Sequence, residues 1–206
     1  MGLHNALAKY RFVAPERARL MRIVAGELRG RAIQAPEGHD VRPTSDRARQ
    51  AIFNILEHAP WSEGIEARYV VDLFAGSGAM GLEALSRGAA RCLFVDTSET
   101  SLAAVRANVA AFGLEERTRL LRQDATRLGG RHEGKGAFDI AFLDPPYRKD
   151  LAGPALAELR TGGWLAPEAV VVLERAAGEP SIETPGYEVL DQRRYGAAGV
   201  LFLRPA

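Results

Sequence analysis

The sequence predicts an α/β fold with about seven strands in a mostly parallel sheet, an antiparallel last strand, and helices on both faces. Two features predict it. From residue 69 onward, short apolar segments alternate with segments of helical period, which is typical of successive βαβ units. A glycine-rich loop, Gly76 to Gly81, also follows the first of these strands. With 206 residues and 47% hydrophobic composition, the chain is long enough for one well-filled domain and a small appendage.

Each element is assigned from its hydrophobic period and the turn residues around it. The predicted strands cover residues 69–74, 91–95, 118–122, 138–143, 169–174, 187–194 and 200–204. The predicted helices cover residues 45–58, 79–87, 98–112 and 151–160. Gly88 and Gly113 are placed to end two of these helices. A further β-hairpin is expected over residues 21–33.

The chain divides into three parts by composition. Residues 1–20 show no sustained period, so we expect a flexible N-terminal extension. Residues 21–60 form a basic appendage of hairpin and helix, and residues 61–206 form the main, catalytic domain. Residues 1–50 carry ten Lys or Arg against five Asp or Glu, hence +5, although the net charge of the whole chain is only +1. This asymmetry indicates a polyanionic partner for the appendage, with a solvated arginine-rich surface as the alternative.

The basic appendage offers two groups of anion-binding candidates. Arg22, Arg29 and Arg31 lie on the expected hairpin. Arg42, Thr44 and Arg47 surround the start of the helix over residues 45–58, where free backbone N–H groups already favour anions. Nucleic acid is a candidate partner for both groups.

The glycine loop matches the pattern GxGxxG between a strand and a helix, with Asp96 twenty residues beyond Gly76. This spacing alone is typical of dinucleotide sites, in which the acid binds ribose hydroxyls. Asp72, inside the first strand, changes the interpretation, because a carboxylate there would repel a pyrophosphate but attract a cationic ammonium. S-adenosylmethionine is therefore favoured, and a nicotinamide cofactor remains the alternative.

The stretch FDIAFLDPPY, residues 138–147, carries the candidate chemistry. Its apolar half predicts a buried parallel strand, and Asp144 followed by two prolines ends that strand at the sheet edge where open α/β folds bind ligands. The Asp144 carboxylate, a carbonyl with no neighbouring N–H donor and the ring of Tyr147 suit a planar amino group.

These motifs together resemble the class I S-adenosylmethionine-dependent methyltransferases, which implies their Rossmann-like fold. The resemblance implies a cofactor site made of Asp72, Phe74, Ala75, Gly76, Ser77, Gly78, Asp96, Asp124, Ala125 and Asp144. It also implies that Asp144, Pro145, Pro146 and Tyr147 form the family's amino-methylation motif. That motif is shared by enzymes acting on adenine-N6, cytosine-N4, guanine-N2 and glutamine amides, so it does not identify the substrate.

The sequence of the appendage resembles one group within these methyltransferases. RIVAG at residues 22–26, RGR at 29–31 and RPTSDRAR at 42–49 resemble the N-terminal signature of bacterial small-subunit ribosomal RNA guanine-N2 methyltransferases of the RsmD type. The resemblance covers about residues 21–204 and implies 16S ribosomal RNA, free or in the small subunit, as substrate of a monomeric enzyme. The RNA-binding residues it implies are Arg22, Arg29, Arg31, Arg42, Thr44 and Arg47. Asp144, where RNA-directed relatives commonly have Asn, is a departure, as is the extension before Met21.

Three alternatives remain at this point: a DNA adenine-N6 or cytosine-N4 methyltransferase, a nicotinamide-dependent oxidoreductase, and an RNA-binding protein without catalysis. The four histidines show no metal-ligand spacing, so no metal is expected. No apolar run approaches the roughly 18 residues of a membrane span, and the single cysteine, Cys92, fits a reducing compartment. We therefore expect a cytoplasmic protein.

Overall fold

The computed structural model describes residues 21–36, 45–131, 136–146, 149–179 and 183–206. Seven strands form one sheet in the order β3-β2-β1-β4-β5-β7-β6. The strands are β1 Tyr69–Leu73, β2 Arg91–Asp96, β3 Thr118–Arg122, β4 Phe138–Leu143, β5 Leu165–Ala176, β6 Tyr187–Tyr195 and β7 Ala198–Pro205. β1 to β5 are parallel, and β7 lies antiparallel between β5 and β6. The predicted mostly parallel sheet with an antiparallel last strand is confirmed.

The helices are α1 Asp46–His58, α2 Ala79–Ser86, α3 Glu99–Phe112 and α4 Ala152–Thr161, with a 3-10 turn at Glu115–Arg117. Side-chain oxygens cap two of them, because Ser45 accepts from the N–H of Ala48 and Ser98 accepts from the N–H of Ser101. Gly113, at a φ of +70°, ends α3. In the part of the chain that the structure describes, no helix is long and apolar enough to cross a membrane.

Helices cover both faces of the sheet, as predicted. α1, α2, α3 and the segment of residues 21–36 pack on one face, and α4 packs on the other. The ring of Phe53 on α1 lies 5.4 Å from the ring of Phe142 on β4. Segment 21–36 and α1 thus share a core with the sheet, and the functional division of the chain near residue 60 stays a prediction.

β5 is longer than the expected residues 169–174. Its first residue, Leu165, pairs with Phe138 of β4 across a register shift, and its last residue, Ala176, pairs with Ala198 of β7. Because β5 has a neighbour on each side, hydrogen bonding extends it at both ends beyond the apolar run that identified it.

The expected hairpin over residues 21–33 is present only in a reduced form. Arg22 and Ala32 make an isolated antiparallel bridge instead of a ladder. The N–H groups of Val24 and Ala25 instead donate to the carboxylate of Glu83 on α2, at 2.7 and 2.9 Å. Hydrogen bonds to a carboxylate are stronger than those between neutral groups, so Glu83 anchors the segment to α2.

The turn of this segment is fitted to the end of α2. Gly26 has a φ of +80°, and a Cβ there would lie 1.9 Å from the carbonyl oxygen of Ser86. The Ser86 hydroxyl accepts from the N–H of Leu28 and donates to the carbonyl of Ala25. Only glycine allows this close approach.

Ion pairs fix the direction of α1. The fully buried guanidinium of Arg49 lies 3.6 Å from Glu83, and Glu57 lies 3.0 Å from Arg87. Glu83 lies on α2, and Arg87 is the residue directly after α2. The earlier residue of α1, Arg49, pairs with the earlier of these two, and the later residue, Glu57, pairs with the later one. α1 therefore runs alongside α2 and begins near the sheet edge where α2 and the glycine loop begin.

Candidate active site

The loop after β1 brings backbone groups to the carboxyl edge of the sheet. Gly76 and Gly78 have φ values of +53° and +77°. A Cβ at Gly76 would meet nothing closer than a carbonyl oxygen at 3.9 Å, whereas one at Gly78 would lie 3.1 Å from the side chains of Phe94 and Val105. Gly78 thus serves the packing of the loop, and Gly76 leaves open space beside it.

Asp72 lies beneath this loop. Its side chain accepts a hydrogen bond from the N–H of Gly81 at 2.9 Å, in the first turn of α2. Burial raises the pKa of Asp72 to about 7, the Gly81 N–H opposes the rise, and the charge of Asp96 adds to it. A cation held near this carboxyl group would favour its charged form.

Asp96 ends β2 and connects the loop to α3. One carboxylate oxygen accepts from the N–H of Gly76 at 2.9 Å, and the other accepts from the N–H of Ser98 at 2.8 Å. Each oxygen keeps a lone pair for a further donor. The acid predicted to bind ribose hydroxyls therefore also holds the glycine loop in place.

Asp124 and Ala125 follow β3 at the same edge. One Asp124 oxygen accepts from both the hydroxyl and the N–H of Thr126, at 2.7 and 2.9 Å. These two bonds lower the pKa of Asp124, the hydroxyl bond most. Ala125 is buried in the cluster on the α4 face.

Asp144 directly follows β4, with Pro145 buried and Pro146 exposed after it. The pKa of Asp144 is raised well above its ordinary value, first by burial, then by the charges of Glu174 and Asp72. The structure thus brings three carboxyl groups close together: Asp72 on β1, Asp144 directly after β4 and Glu174 on β5. Tyr147 lies outside the described residues.

Glu174 was missed by sequence reasoning. It is buried on β5, one residue after Leu173, which pairs with Leu143 of β4. In parallel strands, this register places Glu174 beside Asp144. The sequence did contain a sign of it, because Glu174 directly follows the apolar run VVVL, just as Asp144 directly follows the apolar run that ends at Leu143. Among the described residues, no His, Cys, Asp and Glu side chains form a group of three that could hold a metal ion.

Four of the six predicted RNA-binding residues are described: Arg22, Arg29 and Arg31 lie on segment 21–36, and Arg47 lies on α1. Arg47 is exposed in the first turn of α1, near the edge that carries the glycine loop. Arg31 donates to the carbonyl of Ala111 at 2.6 Å and covers the ring of Phe112 at 4.9 Å. Ala111 and Phe112 are the last residues of α3, whereas the first residues of α3 lie near the carboxyl edge of the sheet, after β2. Arg31 therefore lies toward the sheet edge opposite the glycine loop.

Arg22 donates to the carbonyl of Gly30 at 2.9 Å, and Arg29 is exposed beside that turn. Arg22, Arg29 and Arg31 therefore surround one turn. The carbonyl of Arg22 and the carboxylate of Asp46, which precedes Arg47, both accept from the guanidinium of Arg49, so Arg22 lies beside the first turn of α1. Arg42 and Thr44 lie outside the described residues.

The site fits S-adenosylmethionine on observations of the structure. The open space at Gly76 admits a ligand against the backbone, the buried carboxyl of Asp72 can compensate a positive charge, and Asp96 retains acceptor capacity for hydroxyl groups. The acids at these strand ends would repel a pyrophosphate.

A sheet of this order with a glycine loop and acids at the ends of successive strands defines a class I, S-adenosylmethionine-dependent methyltransferase with a Rossmann-like fold. The chain belongs to the family described as Conserved hypothetical protein 95, whose model matches residues 21–204. The predicted fold, cofactor and resemblance are confirmed, and the similarity to known proteins favours them over a nicotinamide oxidoreductase.

Named relatives agree with this class. The chain is 31% identical over 177 residues to "Ribosomal RNA small subunit methyltransferase D" of Haemophilus influenzae, covering 85% of this chain and 89% of the relative. It is 36% identical over 155 residues to the protein of the same name from Escherichia coli K12, covering 75% and 74%. The solved structure "Putative methyltransferase yhhF" from Escherichia coli matches with a TM-score of 0.74 and 29% identity, covering 90% of this chain and 98% of that one.

Proposed function

We propose that this protein transfers a methyl group from S-adenosylmethionine to the exocyclic N2 amine of a specific guanine in 16S ribosomal RNA. The observation that carries the proposal is the Asp144–Pro145 pair, which ends β4 at the edge where the glycine loop ends β1. The names of the Haemophilus and Escherichia relatives support a small-subunit ribosomal RNA substrate.

The cofactor side of the site is formed by residues of three strand ends. Asp72 would compensate a positive charge, the backbone from Phe74 to Gly78 would approach the ligand closely, and Asp96 would accept from ribose hydroxyls. Asp124 and the backbone of Ala125 would flank the adenine. S-adenosylmethionine, when bound, supplies a methyl group activated by its positively charged sulfur.

The substrate side must activate a weak nucleophile. The lone pair of a guanine amine is delocalised into the ring, so the site has to localise and orient it. The Asp144 carboxylate and the carbonyl of Pro145 would do so by accepting the two amine hydrogens. Pro146 supplies no competing N–H donor and keeps the loop rigid. Tyr147 would stack on the base, an interaction worth roughly 1–3 kcal/mol.

The RNA would be held by its phosphates. Arg22, Arg29 and Arg31 on the hairpin, and Arg42, Thr44 and Arg47 around the start of α1, are the candidate contacts. A base inside a helix cannot reach such a pocket, so the target guanine is unpaired or flipped out. A cytoplasmic, monomeric enzyme acting on free RNA or on an assembling small subunit belongs to the same proposal.

Labelled methyl transfer tests this function. The substrates are naked 16S RNA and small subunits from a strain that lacks the enzyme, with DNA as the comparison. We expect labelled N2-methylguanosine in RNA digests from one of the two ribosomal substrates. Label in another nucleoside, or in DNA alone, would contradict the proposal.

A further inference from the structure

Asn108 joins two parts of the molecule that are distant in sequence. It lies on α3 and is 1% exposed. Its Oδ1 accepts from the N–H of Gln34 at 2.8 Å, and its Nδ2 donates to the carbonyl of Gln34 at 3.0 Å. The same Nδ2 donates to the carbonyl of Ser77 at 3.2 Å. One buried amide therefore binds both backbone groups of Gln34 and the glycine loop.

A second interaction reinforces this connection. The buried hydroxyl of Ser77, between the two glycines of the loop, donates to the sulfur of Met21 at 3.8 Å. Met21, the first described residue of segment 21–36, thus contacts the loop directly, and Gln34, near the end of the segment, is connected to it through Asn108. A displacement of the loop at Ser77 has to be accommodated at both ends of the segment, because Ser77, Met21 and Asn108 are buried and hydrogen-bonded.

The two connected parts have different tasks in the proposed function. Ser77 belongs to the loop assigned to S-adenosylmethionine. Segment 21–36 carries Arg22, Arg29 and Arg31, and it continues directly into the residues that include Arg42 and Thr44. Asn108 therefore holds the backbone of the cofactor site and the backbone of the RNA-binding appendage at once.

We propose that Asn108 is a positioning residue that couples S-adenosylmethionine binding to RNA binding. The proposal rests on the proposed function, since it requires both ligands. A ligand that fixes the glycine loop in the conformation bound by Asn108 also fixes the backbone of Gln34. The second ligand then binds a protein in which this backbone is already ordered, so its binding no longer carries the entropic cost of ordering Gln34. By linkage, each ligand raises the affinity for the other by the same factor.

If Asn108 had only a structural role, its replacement would give a different result. It would lower stability, and it would weaken both binding events, but the factor between them would stay unchanged. The coupling factor is therefore the decisive readout, and it requires no turnover.

The experiment measures the affinity of the full chain for a 16S RNA transcript, without and with saturating S-adenosylhomocysteine. The reciprocal measurement is the affinity for S-adenosylhomocysteine, without and with saturating RNA. We expect a factor of about five or more in the wild type. Asn108→Asp keeps the side-chain volume and the acceptor for Gln34 but loses both Nδ2 bonds, and Asn108→Ala loses all three. Both variants are expected to bring the factor close to one. Ser77→Ala, which removes only the hydrogen bond to Met21, should lower it less.

Glu27→Gln is the matched control. The Glu27 carboxylate pairs with Arg117 at 2.7 Å and so anchors the same segment at the turn remote from the glycine loop. This variant should keep the wild-type factor. A factor of one in a wild type that binds both ligands overturns the coupling and leaves the proposed function intact. An unchanged factor in the folded Asn108 and Ser77 variants also overturns it. A wild type that does not bind one of the ligands contradicts the proposed function itself.

Discussion

The carboxyl group of Asp72 accepts a hydrogen bond from the backbone N–H of Gly81 at 2.9 Å, and this bond ties β1 to the first turn of α2 beneath the glycine loop. Because burial raises the pKa of Asp72 to about 7, the group changes charge near neutral pH. Its protonation therefore connects pH to both the cofactor site and the stability of the fold.

Cofactor binding should depend on pH through Asp72. The ionised form predominates above its pKa of about 7 and compensates the positive charge of S-adenosylmethionine. Affinity should therefore rise with pH up to that value, by at most about tenfold per pH unit, and level off above it. Calorimetric titration between pH 6 and 8 measures this. Asp72→Asn should bind more weakly and with a flatter profile; the same profile in the variant would contradict the assignment.

The stability of the ligand-free protein should change with pH in the opposite direction. A raised pKa means that the folded state binds the Asp72 proton more tightly than the unfolded chain does. The free energy of unfolding therefore falls as pH rises from about 4 through about 7. Urea unfolding across this range should show a smaller fall in Asp72→Asn than in the wild type. An equal fall in both would show that other groups, such as Asp144, cause it.

Replacement of Asp144 should separate catalysis from cofactor binding. Asp144→Ala should abolish methyl transfer, because the acceptor for the amine hydrogens is removed, while S-adenosylmethionine binding largely survives. Asp144→Asn keeps one acceptor oxygen and should retain part of the activity. Since the pKa of Asp144 is raised by burial and by Glu174, wild-type activity should fall at low pH as this group is protonated. Simultaneous loss of binding and activity in both variants would indicate a structural role.

The hairpin arginines should differ in their effects. Arg29→Ala should weaken RNA binding and lower the salt slope of log K by about one for each phosphate interaction removed, with little change in stability. Arg31→Ala should also lower the melting temperature, because the guanidinium covers Phe112 and binds the carbonyl of Ala111. Binding at several salt concentrations and thermal melts of both variants measure this. Salt-independent weakening would contradict a phosphate role.

Two glycines in the same turn provide a matched test of how the segment docks. A Cβ at Gly30, where φ is +83°, would have nothing within 4 Å, whereas a Cβ at Gly26, where φ is +80°, would collide with Ser86. Gly30→Ala should cost about 1–2 kcal/mol for the positive φ alone. Gly26→Ala should cost about 1–3 kcal/mol more through overpacking. Urea unfolding measures both, and equal losses would show that the close approach to Ser86 is dispensable.

The sequence alone determined the elements that depend on local pattern. The alternation of strands and helices, the end of α3 at Gly113 and the glycine loop could all be predicted, because period and turn chemistry act over a few residues. The positions of Asp96 and Asp144 also followed, since an acid that ends a parallel strand must lie at the carboxyl edge of the sheet.

Only the tertiary structure decided what depends on contacts distant in sequence. The charge pattern counted Arg31 and Arg49 alike as basic residues, yet Arg49 is fully buried beside Glu83 and Arg31 lies on Phe112. The hairpin is limited to the bridge between Arg22 and Ala32, and Glu83, more than fifty residues away in sequence, accepts the N–H groups of Val24 and Ala25 beyond that bridge. The raised pKa of Asp72 and the proximity of Glu174 to Asp144 likewise arise from burial, which a residue acquires only when separate elements pack together.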